Sequence, residues 1–200
     1  MTLAARLTAA LATATPDGIS AGDLGHDELP DDTREAAVLI AITDRTEPGL
    51  LFIVRPQAMR LHPGQVAFPG GQVDPDDRDP AHTALREAWE ELAIDPARVK
   101  VCGLADPYRT ITNYRVTPVV GVVPPDLALK PDAREVADWF EAPLHHVLDR
   151  ANHHRESVDV DGRLRHYTRI DWQDRRIWGA TAAMIVNLAR RLRSGEPHDA

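Results

Sequence analysis

The chain has 200 residues, 43% of them hydrophobic and 27% charged, which is the make-up of one folded domain with a real core and not of a disordered chain. Its 23 Lys and Arg against 31 Asp and Glu leave a formal charge of −8, which excludes the dense positive surface on which general nucleic-acid and anionic-membrane binders rely. A single cysteine, Cys102, rules out an intrachain disulfide and a cysteine-based zinc site and favours a cytoplasmic setting, and no stretch approaches the roughly 20 apolar residues of a membrane span.

Leu3, Leu7 and Leu11 recur every four residues and predict an amphipathic N-terminal helix in preference to an export signal. The acidic, Gly- and Pro-containing segment from Pro16 to Asp32 reads as a connecting arm. Residues 1–32 are therefore expected to be a helix and arm, 33–195 the main domain, and 196–200 a tail. Ala36 to Thr43 and Leu50 to Val54 are β-branched, apolar runs around a turn-like Asp44 to Gly49, and predict adjacent strands. Val99 to Leu104 and Val116 to Val123 predict two more, with Pro118 suggesting a bulge or an edge position in the second.

Asp79-Pro80 is a start signal and Asp95-Pro96 a stop, so a helix is expected over Pro80 to Leu92, with Ala81, Ala84, Leu85, Ala88 and Leu92 as its buried stripe. Leu144 to Leu148 suits a short helix. Ser157 to Val160 and Leu164 to Ile170 suit a hairpin with a type I′ turn at Asp161-Gly162. A last helix is expected from Ile177 to Leu192, with Ala180, Met184, Ile185 and Leu188 inward. These elements make a mixed sheet with helices.

The chemistry concentrates on the helix from Pro80. Glu87, Glu90 and Glu91 lie at i, i+3 and i+4, within about a 100° arc facing away from the alanine and leucine stripe. Like charges at these spacings repel by a few tenths of a kcal/mol per pair, roughly, and Arg86 is the cation beside them. A hard divalent cation, Mg²⁺ or Mn²⁺, would turn that repulsion into coordination; a solvated acidic face is the plain alternative. The preceding Phe68-Pro69-Gly70-Gly71 allows a tight turn with close backbone approach, and Asp74, Asp76, Asp77 and Asp79 add carboxylates before the helix. His145-His146 and His153-His154 match no common zinc spacing.

Gly71 through Ile94, with Arg86-Glu87-Ala88-Trp89-Glu90-Glu91-Leu92-Ala93-Ile94 at its end, resembles the Nudix box. The upstream run Met59 to Gly71 (MRLHPGQVAFPGG) is similar to the extra signature of the coenzyme A pyrophosphatase branch, and weaker similarity extends the resemblance from about Ala36 to Leu192. Two positions depart from the pattern. Asp77 stands where the box has a glutamate, one residue farther from Arg86 than usual, and Ala93 stands where it has a glycine.

The resemblance implies an α+β Nudix fold, a mixed β-sheet flanked by α-helices as an α/β/α sandwich. It implies Glu87, Glu90, Glu91 and the Gly71 carbonyl as ligands of Mg²⁺ or Mn²⁺, Arg86 as the residue that orients a carboxylate, and Glu90 or Glu135 as general base. Arg60, His62 and Gln65 are its candidates for contacting substrate, and Arg55 and Arg109 are further cations able to meet phosphates. The implied reaction is hydrolysis of the diphosphate of coenzyme A or its thioesters to 3′,5′-ADP and 4′-phosphopantetheine or its acyl form. ADP-ribose or a dinucleotide as substrate, and a non-catalytic ligand sensor, stay open as alternatives. The expected partner is a small-molecule nucleotide, with no nucleic acid and no membrane, and a homodimer is compatible with the sequence.

Overall fold

The structure, a computed structural model, describes residues 1–23, 33–58, 63–160 and 162–194. In chain order the described elements are α1 (Leu3–Leu11), β1 (Arg34–Thr43), β2 (Gly49–Val54), β3 (Val66–Ala67), β4 (Gly70–Gln72), α2 (Pro80–Leu92), β5 (Lys100–Leu104), β6 (Tyr108–Arg109), β7 (Tyr114–Val123), β8 (Asp138–Pro143), α3 (Leu144–Leu148), β9 (His154–Val160), β10 (Arg163–Trp172), β11 (Arg175–Trp178) and α4 (Gly179–Ser194).

The main sheet is built around β1 and β7, which run parallel over ten residue pairs from Arg34 opposite Tyr114 to Thr43 opposite Val123. Both are almost continuously apolar because both faces of the sheet are covered. The other edge of β1 divides. Its end pairs antiparallel with β2 at Ile42 and Leu50, and its start pairs with β4, from Ala36 opposite Gln72 to Val38 opposite Gly70. In the opening between them, β3 pairs with β2. The far edge of β2 carries β8, and β5 and β6 line the far side of β7. A second, antiparallel sheet has the order β11-β10-β9.

One face of the main sheet presents Ile40, Ile42, Leu50, Phe52, Val120 and Val122 to α1, α3, α4 and the second sheet through Leu7, Val147, Ile170, Ile177, Ile185 and Leu188. The other face presents Ala37, Leu39, Leu51, Ile53 and Val119 to Ala84, Ala88 and Leu92 of α2. The expected mixed sheet between helical layers is the observed architecture. Burying a Leu or Ile side chain contributes roughly 1.5–3 kcal/mol, so the two clusters supply the main drive to fold. Among the described residues no helix is long and apolar enough to cross a membrane.

Three elements differ from expectation. Strand β7 is central, not an edge, despite Pro118: the Pro118 carbonyl accepts from Ala105 N–H at 2.8 Å, so its missing N–H lies on the side where the β5 and β6 ladders are interrupted, and no bond to β1 is lost. The irregularity sits in the partner strand, where the β5 register shifts between Val101 and Gly103. Ile177 and Trp178 end β11 instead of opening the last helix, because pairing with Ile170 and Arg169 buries Ile177, and the chain turns into α4 only at Gly179, whose φ is +61°. The hairpin of β9 and β10 pairs as expected, from Val160 opposite Arg163, while its turn includes Asp161, which lies outside the described residues.

Candidate active site

Helix α2 begins where Asp79 caps it, its side chain accepting from His82 N–H at 2.8 Å with Pro80 in the first turn. It ends at Ala93, whose φ of +56° is left-handed and whose N–H donates to Trp89 O at 2.8 Å. A left-handed cap favours glycine, which explains why the box resembled by this sequence has one there. The remaining carbonyls at this end accept from the loop after β7: Lys130 N–H donates to Leu92 O and Asp132 N–H to Glu91 O, both at 2.9 Å. That loop then docks on β2 through Ala137 N–H to Val54 O at 2.8 Å. Glu135 is carried between these anchors to the helix.

The result is a group of three carboxylates. One oxygen from each of Glu87, Glu91 and Glu135 lies within 4.8 Å of the others. Their exposures differ sharply, since Glu91 is only 2% exposed, Glu87 is partly buried, and Glu135 is open to solvent. The expectation that all three helix glutamates face away from the apolar stripe therefore fails at Glu91. Its carboxylate lies under the turn before β4, where Gly70 N–H donates to its Oε2 at 2.9 Å. Glu90 points the other way: its side chain is 52% exposed, and both its oxygens lie 3.4 Å from Arg86 Nη1.

The two glycines make this possible by close approach. A Cβ on Gly70 would lie 2.6 Å from Val38 Cα, and one on Gly71 would lie 2.5 Å from the Glu87 carboxyl carbon. Burial pushes the Glu91 carboxyl up to about 8, against the Gly70 amide, which favours ionisation, and with the Glu87 charge adding to the rise. Burial likewise raises Glu87, with the Arg86 charge and hydrogen bond opposing. Crowded, partly dehydrated, oxygen-only donors of this kind fit a hard divalent cation, which would stabilise the ionised form of each.

Arg86 ties the loop to this group. It donates to Glu87 Oε1 at 2.9 Å, to Gln72 O at 3.2 Å, and to both oxygens of Asp77 at 3.2 and 3.0 Å. Asp77, 1% exposed at its side chain, also accepts from Asp74 N–H at 2.9 Å and faces His82 Nδ1 at 2.8 Å. The Arg86 hydrogen bonds hold the Asp77 carboxyl well below the usual carboxylate range despite its burial. This anchoring role of Asp77 and His82 was not read from the sequence. The signal was present in spacing alone, because His82 and Arg86 at i and i+4 share a helix face above the aspartate loop.

Of the candidate substrate contacts, Arg60 and His62 lie outside the described residues. Gln65 is half-buried beside β3, its carbonyl accepting from Arg55 N–H at 3.0 Å. One histidine of each pair faces a backbone carbonyl: His146 Nε2 lies 2.7 Å from Asp171 O and His153 Nε2 2.8 Å from Val147 O, while His145 Nδ1 lies 3.7 Å from Glu47.

Comparison with known proteins agrees with this geometry. A family model described as the NUDIX domain matches residues 33–160. A protein of Enterobacter sp. (strain 638) named uncharacterized Nudix hydrolase NudL is 44% identical over 160 residues, 80% of this chain and 83% of its own length. The protein of the same name from Yersinia pestis (strain Pestoides F) is also 44% identical over 160 residues, 80% of each chain. In fold alone, a MutT/nudix family protein from Enterococcus faecalis is similar with a TM-score of 0.51 at 14% identity, over 84% of this chain and 65% of that one. The matched domain, the relatives and the loop-helix site together place this chain in the family of Nudix hydrolases.

Proposed function

We propose that this protein hydrolyses the diphosphate linkage of coenzyme A or its thioesters with Mg²⁺ or Mn²⁺, giving 3′,5′-ADP and 4′-phosphopantetheine or its acyl form. The observation that carries the reading is the continuity between the segment resembling the coenzyme A branch and the carboxylate group. Its described part starts where Gly64 N–H donates to Arg55 O at 3.1 Å, pairs with β2 at Val66 and Ala67, and is pinned to β1 by Leu39 N–H to Pro69 O at 2.8 Å. It ends at the Gly70 amide that holds Glu91. Gln65, the described member of the candidate substrate contacts, thus belongs to the same continuous segment as the glycine that holds Glu91.

Glu87 and Glu91 would hold the metal from the helix, with the Gly71 carbonyl as a further ligand and Glu90 able to join them only by turning from Arg86, which it faces at 3.4 Å. Bound there, the cation supplies neutralisation of phosphate charge and acidifies water. Arg86 keeps the Glu87 carboxylate in place and takes no part in bond breaking. Glu135 is the member of the group open to solvent, and it accepts the proton of the attacking water; Glu90, turned toward Arg86, is less well placed for that task. Arg60, His62 and Gln65 would contact the nucleotide or pantetheine side, and residues 33–195 would form the catalytic unit.

Chromatography of products after incubation with coenzyme A and Mg²⁺ tests the reading. Release of 3′,5′-ADP is expected. Intact coenzyme A alongside cleaved ADP-ribose or dinucleotide would refute the substrate assignment, and no cleavage of any of them with Mg²⁺ or Mn²⁺ would refute catalysis.

A further inference from the structure

We propose that Arg55 binds the diphosphate of the substrate, taking a non-bridging phosphate oxygen from the sheet side of the carboxylate group. Arg55 follows the last residue of β2, and its backbone is fixed on both sides: N–H donates to Gln65 O at 3.0 Å and its carbonyl accepts from Gly64 N–H at 3.1 Å. The backbone is therefore positioned without any help from the side chain. Its Nε is fully buried and has no hydrogen-bond partner.

Two other arginines also have a buried Nε that makes no hydrogen bond, but each is partnered elsewhere, and Arg169 Nε lies 3.0 Å from Asp171 Oδ2. Arg165 donates through Nη1 to Asp23 O at 3.1 Å, and Arg169 pairs with Glu156. Arg55 differs in having no hydrogen bond or ion pair from any guanidinium nitrogen among the described residues. Arg55 is half-buried, so part of its guanidinium has given up water at Nε with no acceptor gained in return, which folding tolerates only where something else is gained.

No anion of the described residues pairs with Arg55. The Arg55 charge favours ionisation at Glu91, yet the two form no ion pair. Glu91 is instead fixed by the Gly70 amide. With Val54 O accepting from Ala137 N–H, Arg55 also adjoins the loop that carries Glu135. A guanidinium on an anchored backbone, with no partner among the described residues and next to the loop of Glu135, suits a ligand that bridges cation and metal, and a diphosphate does so because it offers oxygens to both sides.

This inference rests on reading the carboxylate group as a diphosphate-cleaving centre, and is independent of what flanks the diphosphate. Methylenediphosphonate, which carries no nucleoside and cannot be hydrolysed at its bridge, is the probe, with adenosine 3′-phosphate as the control for a monophosphate source. Calorimetry on the Mn²⁺-loaded protein should show Arg55→Met weakening methylenediphosphonate binding about ten- to hundredfold, with partial recovery in Arg55→Lys. Adenosine 3′-phosphate binding and Mn²⁺ affinity, the latter followed by electron paramagnetic resonance, should be unchanged.

Thermal midpoints separate binding from support. Removing a half-buried charge with no partner among the described residues should leave the midpoint of the Met variant equal or higher, whereas removing a structural prop lowers it. Unchanged methylenediphosphonate affinity, a loss confined to adenosine 3′-phosphate, or a lowered midpoint with lost Mn²⁺ affinity would each overturn the assignment. If wild-type protein binds neither Mn²⁺ nor methylenediphosphonate, the reading of the carboxylate centre fails and the assignment of Arg55 fails with it.

Discussion

Replacing Glu91 by Gln separates the cost of its carboxyl to folding from its value to catalysis. In the metal-free protein burial raises this carboxyl from 4.5 to about 8. Between those values the folded protein keeps a proton that the unfolded chain has released, so stability falls as pH rises through the window. At about 1.4 kcal/mol for each pH unit crossed, the loss at pH 7 is about 3 kcal/mol, and below pH 4.5 it vanishes. Gln matches the protonated acid in shape, still accepts from the Gly70 amide, and cannot ionise. In EDTA, Glu91→Gln should therefore melt about 6–12 °C above wild type at pH 7, at roughly 2–4 °C per kcal/mol for a chain of this size, and nearly level with it at pH 4.5. Hydrolysis with Mg²⁺ should fall to background. Calorimetric scans across pH give the first result and product chromatography the second; equal or lower stability at pH 7 and 8, or full activity, would refute the reasoning.

Four other changes probe separate parts of the molecule. Asp77→Asn weakens the anchor on both Arg86 nitrogens at a site 1% exposed, and should cost about 2–3 kcal/mol in urea unfolding while lowering kcat/KM at least about tenfold as Glu87 loosens. Gly71→Ala places a methyl against the Glu87 carboxyl, so activity should drop with little change in thermal midpoint, read by parallel kinetics and melting. Ala93→Gly relieves the left-handed cap of α2 and should stabilise by about 1 kcal/mol with kinetics intact. For Asp106, burial would raise the carboxyl, but hydrogen bonds from Arg191 and Thr15 outweigh it and lower its value. The stability of this pair is present above the ordinary carboxylate value and is lost as pH falls through the lowered one. Asp106→Asn should accordingly cost about 3–5 kcal/mol near neutrality and flatten the acid limb of a stability profile.

The parts of this fold legible in the sequence were those governed by local rules. Helix α2 is bounded by Asp79-Pro80 and by a stop that the chain also marks with Asp95-Pro96, and the apolar runs of β1, β2 and β7 announce a covered sheet. What escaped depended on neighbours distant in sequence. Nothing local says that the gap between β5 and β6 falls beside Pro118, or that Ile177 is claimed by Ile170. The site divides in the same way. Helical spacing brings Glu87 and Glu91 together, but the burial of Glu91 comes from the Gly70 turn, and Glu135 arrives through bonds to the carbonyls at the end of α2. Asp77 was visible as a departure from a pattern, while its function became clear only from the nitrogens around it.

The ion pair of Asp106 with Arg191 also governs the order in which the chain can be completed. Arg191 binds both Asp106 oxygens, and its other nitrogen donates to Thr13 O and is near Leu11 O, so it joins the N-terminal helix, the centre of the chain and α4. The longest strand pairing, β1 with β7, likewise spans some eighty residues of sequence. Contacts this distant must wait on loop closure and slow the folding of a chain. During synthesis β1 therefore waits for β7, and Asp106 waits for Arg191. Helix α4, whose Ile185 and Leu188 cover one face of the main sheet, is the last of the described elements in chain order, so that face stays open to solvent until α4 docks.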